Sequence, residues 1–348
     1  MMTPGPAAFA IPGDIDQKTG GYIYEKSLLL ALRAAGRRVE HVELPGSFPE
    51  APPADMARAV AILAALPADQ PLILDGLVYG SVDTAGLARV AAPLVAMIHH
   101  PLGMETGLAP ARAAELLRRE ARNLGLAAHV VVPSPHTARI LGADFGVPSD
   151  RISIALPGFA APDPVRLPVD PPLILAVGLI AARKGHDVLI RALSRITDLP
   201  WQAQIIGGSH DAVVAQVLRA QVNDAALTHR IAFRGRMETA ALDALYRQAT
   251  IFALATRYEG YGMVFGEALL HGLPIVTCAA GAVPETVPQG AGLLVPVDDD
   301  AAFADALRHL LTDTGARNAM SAASEAAGHR LPRWSDTASV MAQVLDSL

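Results

Sequence analysis

Cysteine, aromatic residues and basic charge are all scarce in this chain of 348 residues. The single cysteine, Cys278, excludes a disulfide framework and is compatible with a reducing compartment; because it falls in a predicted buried strand, we expect it to pack in the core. Aromatic residues make up 5%, which leaves few rings for stacking on bases. The formal charge is −6, from 28 basic and 34 acidic side chains, and no basic run stands out. These scarcities argue against a nucleic-acid partner.

Long apolar runs are missing as well. None approaches the roughly 18 residues that a membrane-spanning helix needs, and the first residues, MMTPGPAAFAIPGD, lack the basic region and apolar core of a secretion signal. We therefore expect a soluble, cytoplasmic protein. A helix predicted at Pro110–Leu124 carries Arg112, Arg118, Arg119 and Arg122 and leaves room for peripheral contact with the inner face of a membrane. A solvated helix face is the favoured interpretation of those arginines.

What the chain does have is a regular alternation of short apolar runs and helical stretches. The runs predicted as strands are Ala7–Ile11, Val39–Leu44, Leu72–Asp75, Leu94–His99, His129–Pro133, Arg151–Ala155, Leu173–Val177, Gln202–Gly207, Ile231–Phe233, Ile251–Ala255, Ile275–Thr277 and Gly292–Val295. This alternation predicts an α/β protein in which parallel sheets are covered by helices on both faces.

Two such domains are predicted, because Pro157–Pro172 is too rich in proline for a helix or a central strand and separates the two halves. We place a Rossmann-like domain at 1–160, a second at 161–330, and a C-terminal helix at 331–348 that could cross back to the first. Ligands of such sheets bind beyond the carboxyl ends of the strands, so two facing domains predict a ligand cleft between them.

The most informative stretch is ALATRYEGYGMVFGEALLHGLPIVTCAAGAVPE, which begins at Ala253. Its turn at Gly260-Tyr-Gly262 lies between a strand and a helix, where glycine allows close backbone approach and helix N–H groups attract a phosphate. Glu259 and Glu267 bracket this loop. Carboxylates would repel a phosphate, so we expect them to bind neighbouring hydroxyl groups of the same ligand. A ligand with a phosphate flanked by hydroxyl groups is a sugar nucleotide.

Two other interpretations of this loop remain open. Gly260, Gly262 and Gly266 form a relaxed dinucleotide fingerprint, which would make the chain a nicotinamide or flavin enzyme. That interpretation requires an acid at the tip of the next strand, where Ile275–Ala279 ends in Thr-Cys-Ala-Ala. The other interpretation is a turn with a purely structural role.

Further candidates for phosphate contact lie at other strand ends. Arg183 and Lys184 follow the strand Leu173–Val177 and could neutralise a diphosphate; as the start of a helix they would oppose its dipole. The Gly235-Arg236 loop could present its backbone to a nucleobase, although an ordinary loop is nearly as well supported. Gly20-Gly21 opens the first helix and forms a second loop that a phosphate could approach.

We expect no metal. His99 and His100 follow a strand end with Glu105 five residues later, but no third ligand stands at suitable spacing. The run Asp298-Asp299-Asp300 precedes a helix and is better explained as its N-terminal cap.

Four stretches together resemble the retaining glycosyltransferases of family 4, whose fold is GT-B. They are RYEGYGMVFGEAL, with Glu259 and Glu267 in the spacing E-x7-E, the upstream VGLIAARKGHDVL, the early TGGY and the late PETVPQGAGLLV. The resemblance covers nearly the whole chain and is most specific in its second half. One departure is Leu179, which stands where the family often has an arginine, so that Arg183 would have to supply the charge.

The resemblance implies roles for the site residues. Glu259 and His99 would be catalytic, with Glu259 facing hydroxyls of the donor sugar and His99 beside the reacting carbon, and Glu267 would hold the ribose. His100 and Glu105 would lie on the acceptor side. The expected donor-binding residues are Gly20, Gly21, Arg183, Lys184, Gly235, Arg236, Tyr261, Gly262, Met263, Val264 and Glu267.

The implied reaction is transfer of a sugar from a UDP- or GDP-sugar to a hydroxyl of a carbohydrate, lipid-linked or small-molecule acceptor, with retention of configuration and without a metal or other cofactor. The leaving phosphate would help to deprotonate the acceptor. A sugar-nucleotide epimerase of the same fold, a nicotinamide enzyme and a non-catalytic sugar-nucleotide binder are the alternatives.

Overall fold

A computed structural model describes residues 5–160, 165–209 and 212–348 of the chain. The chain forms two compact units. The first comprises the chain up to Gly158 together with Pro332–Leu348, and the second comprises Phe159–Leu331. The boundary that we expected after residue 160 adjoins residues 161–164, which lie outside the described residues.

The first unit alternates strands and helices in the predicted way. Its elements before Gly158 are β1 (Ala7–Pro12), α1 (Gly20–Ala34), β2 (Val39–Leu44), α2 (Pro53–Ala64), β3 (Leu72–Asp75), α3 (Gly76–Tyr79), α4 (Thr84–Leu87), β4 (Leu94–Met97), α5 (Pro110–Leu124), β5 (His129–Val132), α6 (Pro135–Phe145) and β6 (Ile152–Ile154). The strands pair in parallel in the order β2-β1-β3-β4-β5-β6. Every residue of β1, β3 and β4 is buried, as expected for strands covered on both faces.

The second unit repeats this architecture. Its elements are β7 (Leu173–Val177), α7 (His186–Ser194), β8 (Gln202–Ile206), α8 (Ala212–Asp224), β9 (Ile231–Gly235), α9 (Thr239–Gln248), β10 (Ile251–Leu254), α10 (Met263–Leu270), β11 (Ile275–Cys278), α11 (Val283–Thr286), β12 (Gly292–Val295), α12 (Asp300–Thr312) and α13 (Thr314–Gly328). The strand order is β12-β11-β10-β7-β8-β9, again with parallel pairs. The prediction of two Rossmann-like domains is confirmed.

The last helix, α14 (Trp334–Asp346), belongs to the first unit and packs against α1. Trp334 lies edge-on to Tyr24 of α1, with ring centroids 5.5 Å apart, and the Thr337 hydroxyl donates to the Leu156 carbonyl at 2.7 Å. The first unit is therefore built from both ends of the chain.

Several predicted boundaries need correction. The strand expected to reach His99 ends at Met97, although the Ile98 N–H still bonds to the next strand. Arg183 and Lys184 form a 3-10 turn, Ala182–Lys184, before α7, because Gly185 adopts a left-handed conformation there. They therefore precede the α-helix instead of opening it.

The basic helix α5 turns its arginines outward. Arg112 forms ion pairs with Glu50 and Glu115, both at 3.0 Å or less, and Arg119 pairs with Glu115 at 2.7 Å. Across the described ranges, no helix combines the length and apolar character needed to cross a membrane.

Candidate functional site

The strongest candidate site in the second unit lies where its chain reverses direction across the sheet. β7 and β10 are neighbours, but the chain leaves β7 towards β8 on one side and leaves β10 towards β11 on the other. The loops that follow these two strands therefore lie side by side at the carboxyl edge, which is where parallel sheets bind ligands. One loop carries Arg183 and Lys184, and the other carries Glu259.

Glu259 forms the centre of a buried ion cluster. Glu259 is 4% exposed, and its Oε1 accepts hydrogen bonds from Lys184 Nζ at 2.6 Å and from the Thr256 hydroxyl at 2.9 Å. Arg183 Nη1 donates to the Tyr258 carbonyl at 2.8 Å and lies 3.4 Å from Glu259 Oε2. The predicted sugar-facing carboxylate and the predicted phosphate-facing cations are thus paired with one another.

The balance of charge in this cluster keeps Glu259 ionised. Burial alone would raise the pKa of Glu259, but the charges of Lys184 and Arg183 and the hydrogen bonds from Lys184 and Thr256 outweigh it and hold that pKa below its usual value. Arg183 and Lys184 thus place two positive charges beside this one carboxylate.

Two glycines with positive φ allow these loops to approach so closely. At Gly185, with φ of 61°, a Cβ atom would stand 1.8 Å from the Ala255 carbonyl oxygen. At Gly281, with φ of 56°, it would stand 2.3 Å from the Glu259 carbonyl oxygen, which also accepts the Ala282 N–H at 2.9 Å. No side chain fits at either position, so the backbone on both sides of Glu259 is fixed by its neighbours.

The glycine turn after Glu259 leads directly into a helix. Gly262 has φ of 85° and caps α10, whose first two residues are Met263 and Val264. The Thr286 hydroxyl donates to the Tyr261 carbonyl at 2.7 Å and ties this turn to α11. Burial raises the pKa of the Tyr261 phenol to about 12. The N-terminal N–H groups of a helix have no partners within the helix, so the predicted phosphate site has suitable donors.

Glu267 lies on the same helix and is held by α9. The buried Tyr246 hydroxyl donates to Glu267 Oε2 at 2.6 Å, and the Tyr246 ring stacks on His271 at 4.8 Å. His271 Nε2 in turn lies 2.9 Å from Asp243 Oδ1. Burial raises the pKa of Glu267, while the Tyr246 hydrogen bond opposes the shift. One carboxylate oxygen is thus occupied by Tyr246.

The loop at Gly235 and Arg236 is exposed and ends β9. Gly235 has φ of 68°, and its carbonyl accepts the Gly207 N–H at 2.9 Å. The Arg236 side chain packs on Gly208, where a Cβ would meet Arg236 Nε at 2.4 Å. Gly235 therefore ends β9 and Arg236 follows it, and β9 lies two strands farther from β10 than β7, the strand that precedes Arg183.

The first unit has its own cluster at the equivalent edge. Its chain reverses between β1 and β3, and α1 begins after β1 with Gly20 and Gly21. His99 follows β4, and its Nε2 lies 3.4 Å from Glu25 Oε1 of α1. A Cβ at Gly21 would lie 3.4 Å from the His99 ring, so this glycine and this histidine are neighbours. Asp75, the last residue of β3, completes the group.

The acids of this cluster are fully enclosed. Burial raises the pKa of Glu25 to about 7, and burial together with Glu25 raises the pKa of Asp75 well above its usual value. Asp75 Oδ1 accepts the Leu77 N–H at 2.8 Å and so caps α3. Desolvation lowers the pKa of His99, whose side chain is 22% exposed.

His100 has a different partner from His99. Its Nε2 lies 3.1 Å from Glu105 Oε2, so the two predicted acceptor-side residues form a pair of their own. The two consecutive histidines are thus divided between an enclosed cluster and a more exposed pair.

One group of acidic and histidine side chains has the spacing of possible metal ligands. Within the described ranges, Glu25, Asp75 and His99 each offer one potential ligand atom, and these atoms lie within 4.8 Å of one another. Burial raises the pKa of both carboxyl groups, so a proton held between Glu25 and Asp75 would also allow this close approach. The Asp298–Asp300 run is a helix cap, as predicted, because Asp299 Oδ1 accepts the Ala302 N–H at 2.9 Å.

Sequence reasoning missed four residues that shape these clusters: Glu25, Asp75, Tyr246 and Thr256. Asp75 ends the apolar run LILD, and a single acid at the carboxyl end of a buried strand was a usable signal. Glu25 shares a helical face with Leu28, Leu29 and Leu32, so an acid in an apolar stripe was another.

Comparisons with known proteins agree with this architecture. Residues 24–160 match the family model described as Glycosyltransferase Family 4, and residues 171–313 match the one described as Glycosyl transferases group 1. A D-inositol 3-phosphate glycosyltransferase of Xylanimonas cellulosilytica is 32% identical over 224 residues, which cover 59% of this chain and 52% of that protein. The chain spans about half the length of the curated relatives it matches.

Solved structures are similar over nearly the whole chain. Sucrose-phosphate synthase from Thermosynechococcus elongatus has a TM-score of 0.84 at 23% identity, with 98% of each chain covered. HepE from Anabaena in complex with UDP-glucose has a TM-score of 0.77 at 17% identity, with 99% of this chain and 100% of that one covered. At such identities the likeness shows the fold, which is GT-B. With its two halves matched by two glycosyltransferase models in succession, the chain belongs to the family 4 glycosyltransferases.

Proposed function

We propose that this chain is a retaining hexosyltransferase that moves a sugar from a UDP- or GDP-sugar to a hydroxyl of a carbohydrate, lipid-linked or small-molecule acceptor. The observation that carries the proposal is the buried cluster of Glu259, Lys184 and Arg183 beside the glycine turn that opens α10. A diphosphate and a sugar are the two halves of a ligand that needs both cations and a carboxylate.

The cations and the helix would act on the leaving group. As the bond between the anomeric carbon and the phosphate oxygen breaks, negative charge grows on the diphosphate. Arg183, Lys184 and the first N–H groups of α10 are positioned before the reaction starts, so they can stabilise that charge without reorganising. We propose that this arrangement replaces a metal ion.

The two carboxylates would divide the rest of the donor between them. Glu259 is assigned to hydroxyls of the transferred sugar and Glu267 to the ribose, with Gly235 and Arg236 near the base. An ionised Glu259 is an acceptor only, which suits a ligand that presents hydroxyl donors. The tie between Tyr246 and Glu267 leaves the other carboxylate oxygen to accept from ribose.

Retention is supported by the family membership alone. In the proposed step the acceptor hydroxyl attacks from the face that the diphosphate leaves. Its proton passes to the departing phosphate oxygen, and the new bond forms on the same side of the sugar. His99 is assigned a place beside the reacting carbon, and His100 and Glu105 are assigned to the acceptor.

Two experiments test the proposal in sequence. A thermal-shift screen against nucleotides and nucleotide sugars should find a ligand that raises Tm, since a hundredfold excess over Kd adds roughly 2.7 kcal/mol. Proton NMR of the first product, recorded with excess EDTA, should then show the anomeric configuration of the donor. An inverted product would refute the front-face step, and activity that returns only with magnesium or manganese would refute the metal-free site.

The same assays separate the alternatives. Turnover of the nucleotide sugar without any acceptor would indicate an epimerase. Binding without turnover, in the presence of a broad acceptor panel, would indicate a sugar-nucleotide binder.

A further inference from the structure

The cluster of Glu25, Asp75 and His99 buries two acids beside a histidine, and no lysine or arginine among the described residues shifts the pKa values of these three groups. The two acids raise the pKa values of Tyr22 and Tyr24 on α1, and the His99 ring opposes the upward shift of the Asp75 pKa. Glu25 is 0% exposed and Asp75 is 3% exposed. Two ionised carboxylates would repel each other strongly in such a place, so the pair needs a proton between them.

The geometry of the pair leads to the same requirement. Carboxylate oxygens of Glu25 and Asp75 lie within 4.8 Å of each other, and two carboxyl groups can hydrogen-bond only when one of them carries a proton. Asp75 Oδ1 cannot donate, because it already accepts the Leu77 N–H at 2.8 Å and faces the Val78 N–H at 3.4 Å. One proton therefore serves both side chains, and the pair keeps one negative charge.

The histidine ring presents one nitrogen to this pair. Nε2 of His99 lies 3.4 Å from Glu25 Oε1, and neither atom has another hydrogen-bond partner among the described residues. The ring is held in place by Tyr24, edge-on at 5.1 Å, and its backbone carbonyl accepts from the Thr137 hydroxyl at 3.3 Å. An N–H on Nε2 gives Glu25 a donor, whereas a bare Nε2 would leave two acceptors facing each other.

We propose that Glu25 and Asp75 share one proton and act as positioning residues for His99, holding its ring with Nε2 protonated so that Nδ1 is the acceptor it offers to a sugar hydroxyl. The tautomer and the shared proton follow from the cluster itself. Only the sugar hydroxyl rests on the proposed function. A carboxylate that holds one imidazole nitrogen fixes which nitrogen remains available for chemistry.

Amide substitutions give a matched set of variants. In Glu25→Gln the amide N–H can donate to Asp75 while its oxygen accepts from His99, and in Asp75→Asn the amide can donate to Glu25 while its oxygen still caps α3. Each single variant replaces the shared proton and keeps one negative charge. Glu25→Leu removes the acceptor, and the double amide variant keeps the hydrogen bonds but removes the charge.

The direct measurement is NMR of full-length protein labelled with ¹⁵N-histidine, with His99 assigned by the loss of its signals in His99→Gln. We expect the wild type and both single amide variants to show neutral His99 with the proton on Nε2. Glu25→Leu should shift the ring towards the Nδ1–H form. The double amide variant should lower the pKa of His99, because no anion then faces the ring.

Three results would overturn the proposal. They are a wild-type proton on Nδ1, a tautomer unchanged in Glu25→Leu, and a shift of the His99 Nε2 signal by stoichiometric Zn²⁺, which would replace the proton with a metal. If Glu25→Leu does not fold, the double amide variant is the test instead. An unchanged pKa of His99 in that variant would then overturn the proposal.

Activity then tests the part that rests on the proposed function. Transfer should fall by about tenfold to hundredfold in Glu25→Leu through kcat and stay near wild type in Glu25→Gln. Binding of the bare nucleotide should be equal in both. If the NMR results hold and no variant shows transfer with any donor, the proposed function has failed while the arrangement of His99 stands.

Discussion

The two units bury carboxylates at the same place in the same kind of sheet and neutralise them in opposite ways. In the second unit Glu259 is paired with Lys184 at 2.6 Å, and its pKa is held below the usual value despite burial. In the first unit burial dominates, and the pKa of Glu25 rises to about 7. One edge keeps an ionised acid beside two cations, and the other favours an acid that holds a proton. The difference suits an anionic ligand in one unit and a hydroxyl in the other.

The largest effect should come from breaking the charged cluster. Glu259→Gln removes the carboxylate that the buried Lys184 contacts at 2.6 Å, and we expect a loss of about 3–5 kcal/mol in the free energy of unfolding together with a strong loss of transfer. A nucleotide diphosphate should then raise Tm more in the variant than in the wild type, because the phosphate replaces the missing anion. Chemical denaturation with and without UDP or GDP measures both.

The control for that variant is Glu325→Gln, since Glu325 lies on α13 with a side chain that is 67% exposed. Its stability should match the wild type. A Glu259→Gln protein as stable as this control would mean that the ion cluster does not need its carboxylate.

A second contrast is the direction in which pH changes the stability that a buried acid contributes. Burial raises the pKa of Glu120 on α5 to about 8, and Glu120 Oε2 accepts the Leu102 N–H at 2.9 Å. An acid whose pKa is higher in the folded than in the unfolded protein contributes stability below its unfolded pKa. That stability is lost as pH rises through the folded pKa. Glu120→Gln should therefore gain roughly 2–4 kcal/mol relative to wild type at pH 8 and little at pH 4.5.

Glu259 should behave in the opposite way, because its pKa is lowered: the stability that it contributes is present above its unfolded pKa and is lost as pH falls through the folded pKa. Unfolding free energies of wild type and Glu120→Gln across pH 4 to 8 test the first slope. Parallel curves would show that Glu120 is ionised in the folded protein.

A smaller effect should separate the phosphate from the rest of the nucleotide. Arg183→Gln and Lys184→Met each remove a charge-assisted contact worth about 1.5–3 kcal/mol, so nucleotide diphosphate affinity should fall while nucleoside affinity changes little. Calorimetry with both ligands makes the comparison. Equal losses for the two ligands would assign the cations to structure.

The smallest expected effect concerns the ribose. Tyr246→Phe removes the hydrogen bond at 2.6 Å to Glu267, and we expect nucleotide affinity to fall by about 0.5–1.5 kcal/mol. The loss should be smaller for a 2′,3′-dideoxynucleotide, which cannot use the carboxylate. A matched loss with both ligands would place Glu267 away from the ribose.

The alternation of apolar runs was enough to predict both sheets, because strands buried on both faces are short and apolar. The turn at Gly262 could be predicted as well, because glycines separate a predicted strand from a predicted helix there, and Gly262 does cap α10. The edge loops were also placed correctly, since parallel strands bring all their carboxyl ends together.

The contacts between side chains of different loops at the carboxyl edge of each sheet could not be predicted from the sequence. Lys184 and Glu259 are 75 residues apart, and nothing local shows that they form an ion pair. Glu25 and Asp75 needed the strand order as well, because α1 and the end of β3 become neighbours only when β3 is placed beside β1. His99 was chosen for its place after a strand, but its partner was invisible without the fold.

The return of α14 to the first unit has a consequence for how the protein is made. During synthesis the residues of the second unit leave the ribosome before Trp334, so the second unit can fold as a continuous segment while the first still lacks a helix. Tyr24, whose ring contacts both Trp334 and His99, gains the Trp334 contact only after the second unit has been synthesised. We therefore expect the His99 cluster to mature last, after the ion cluster of the second unit has formed.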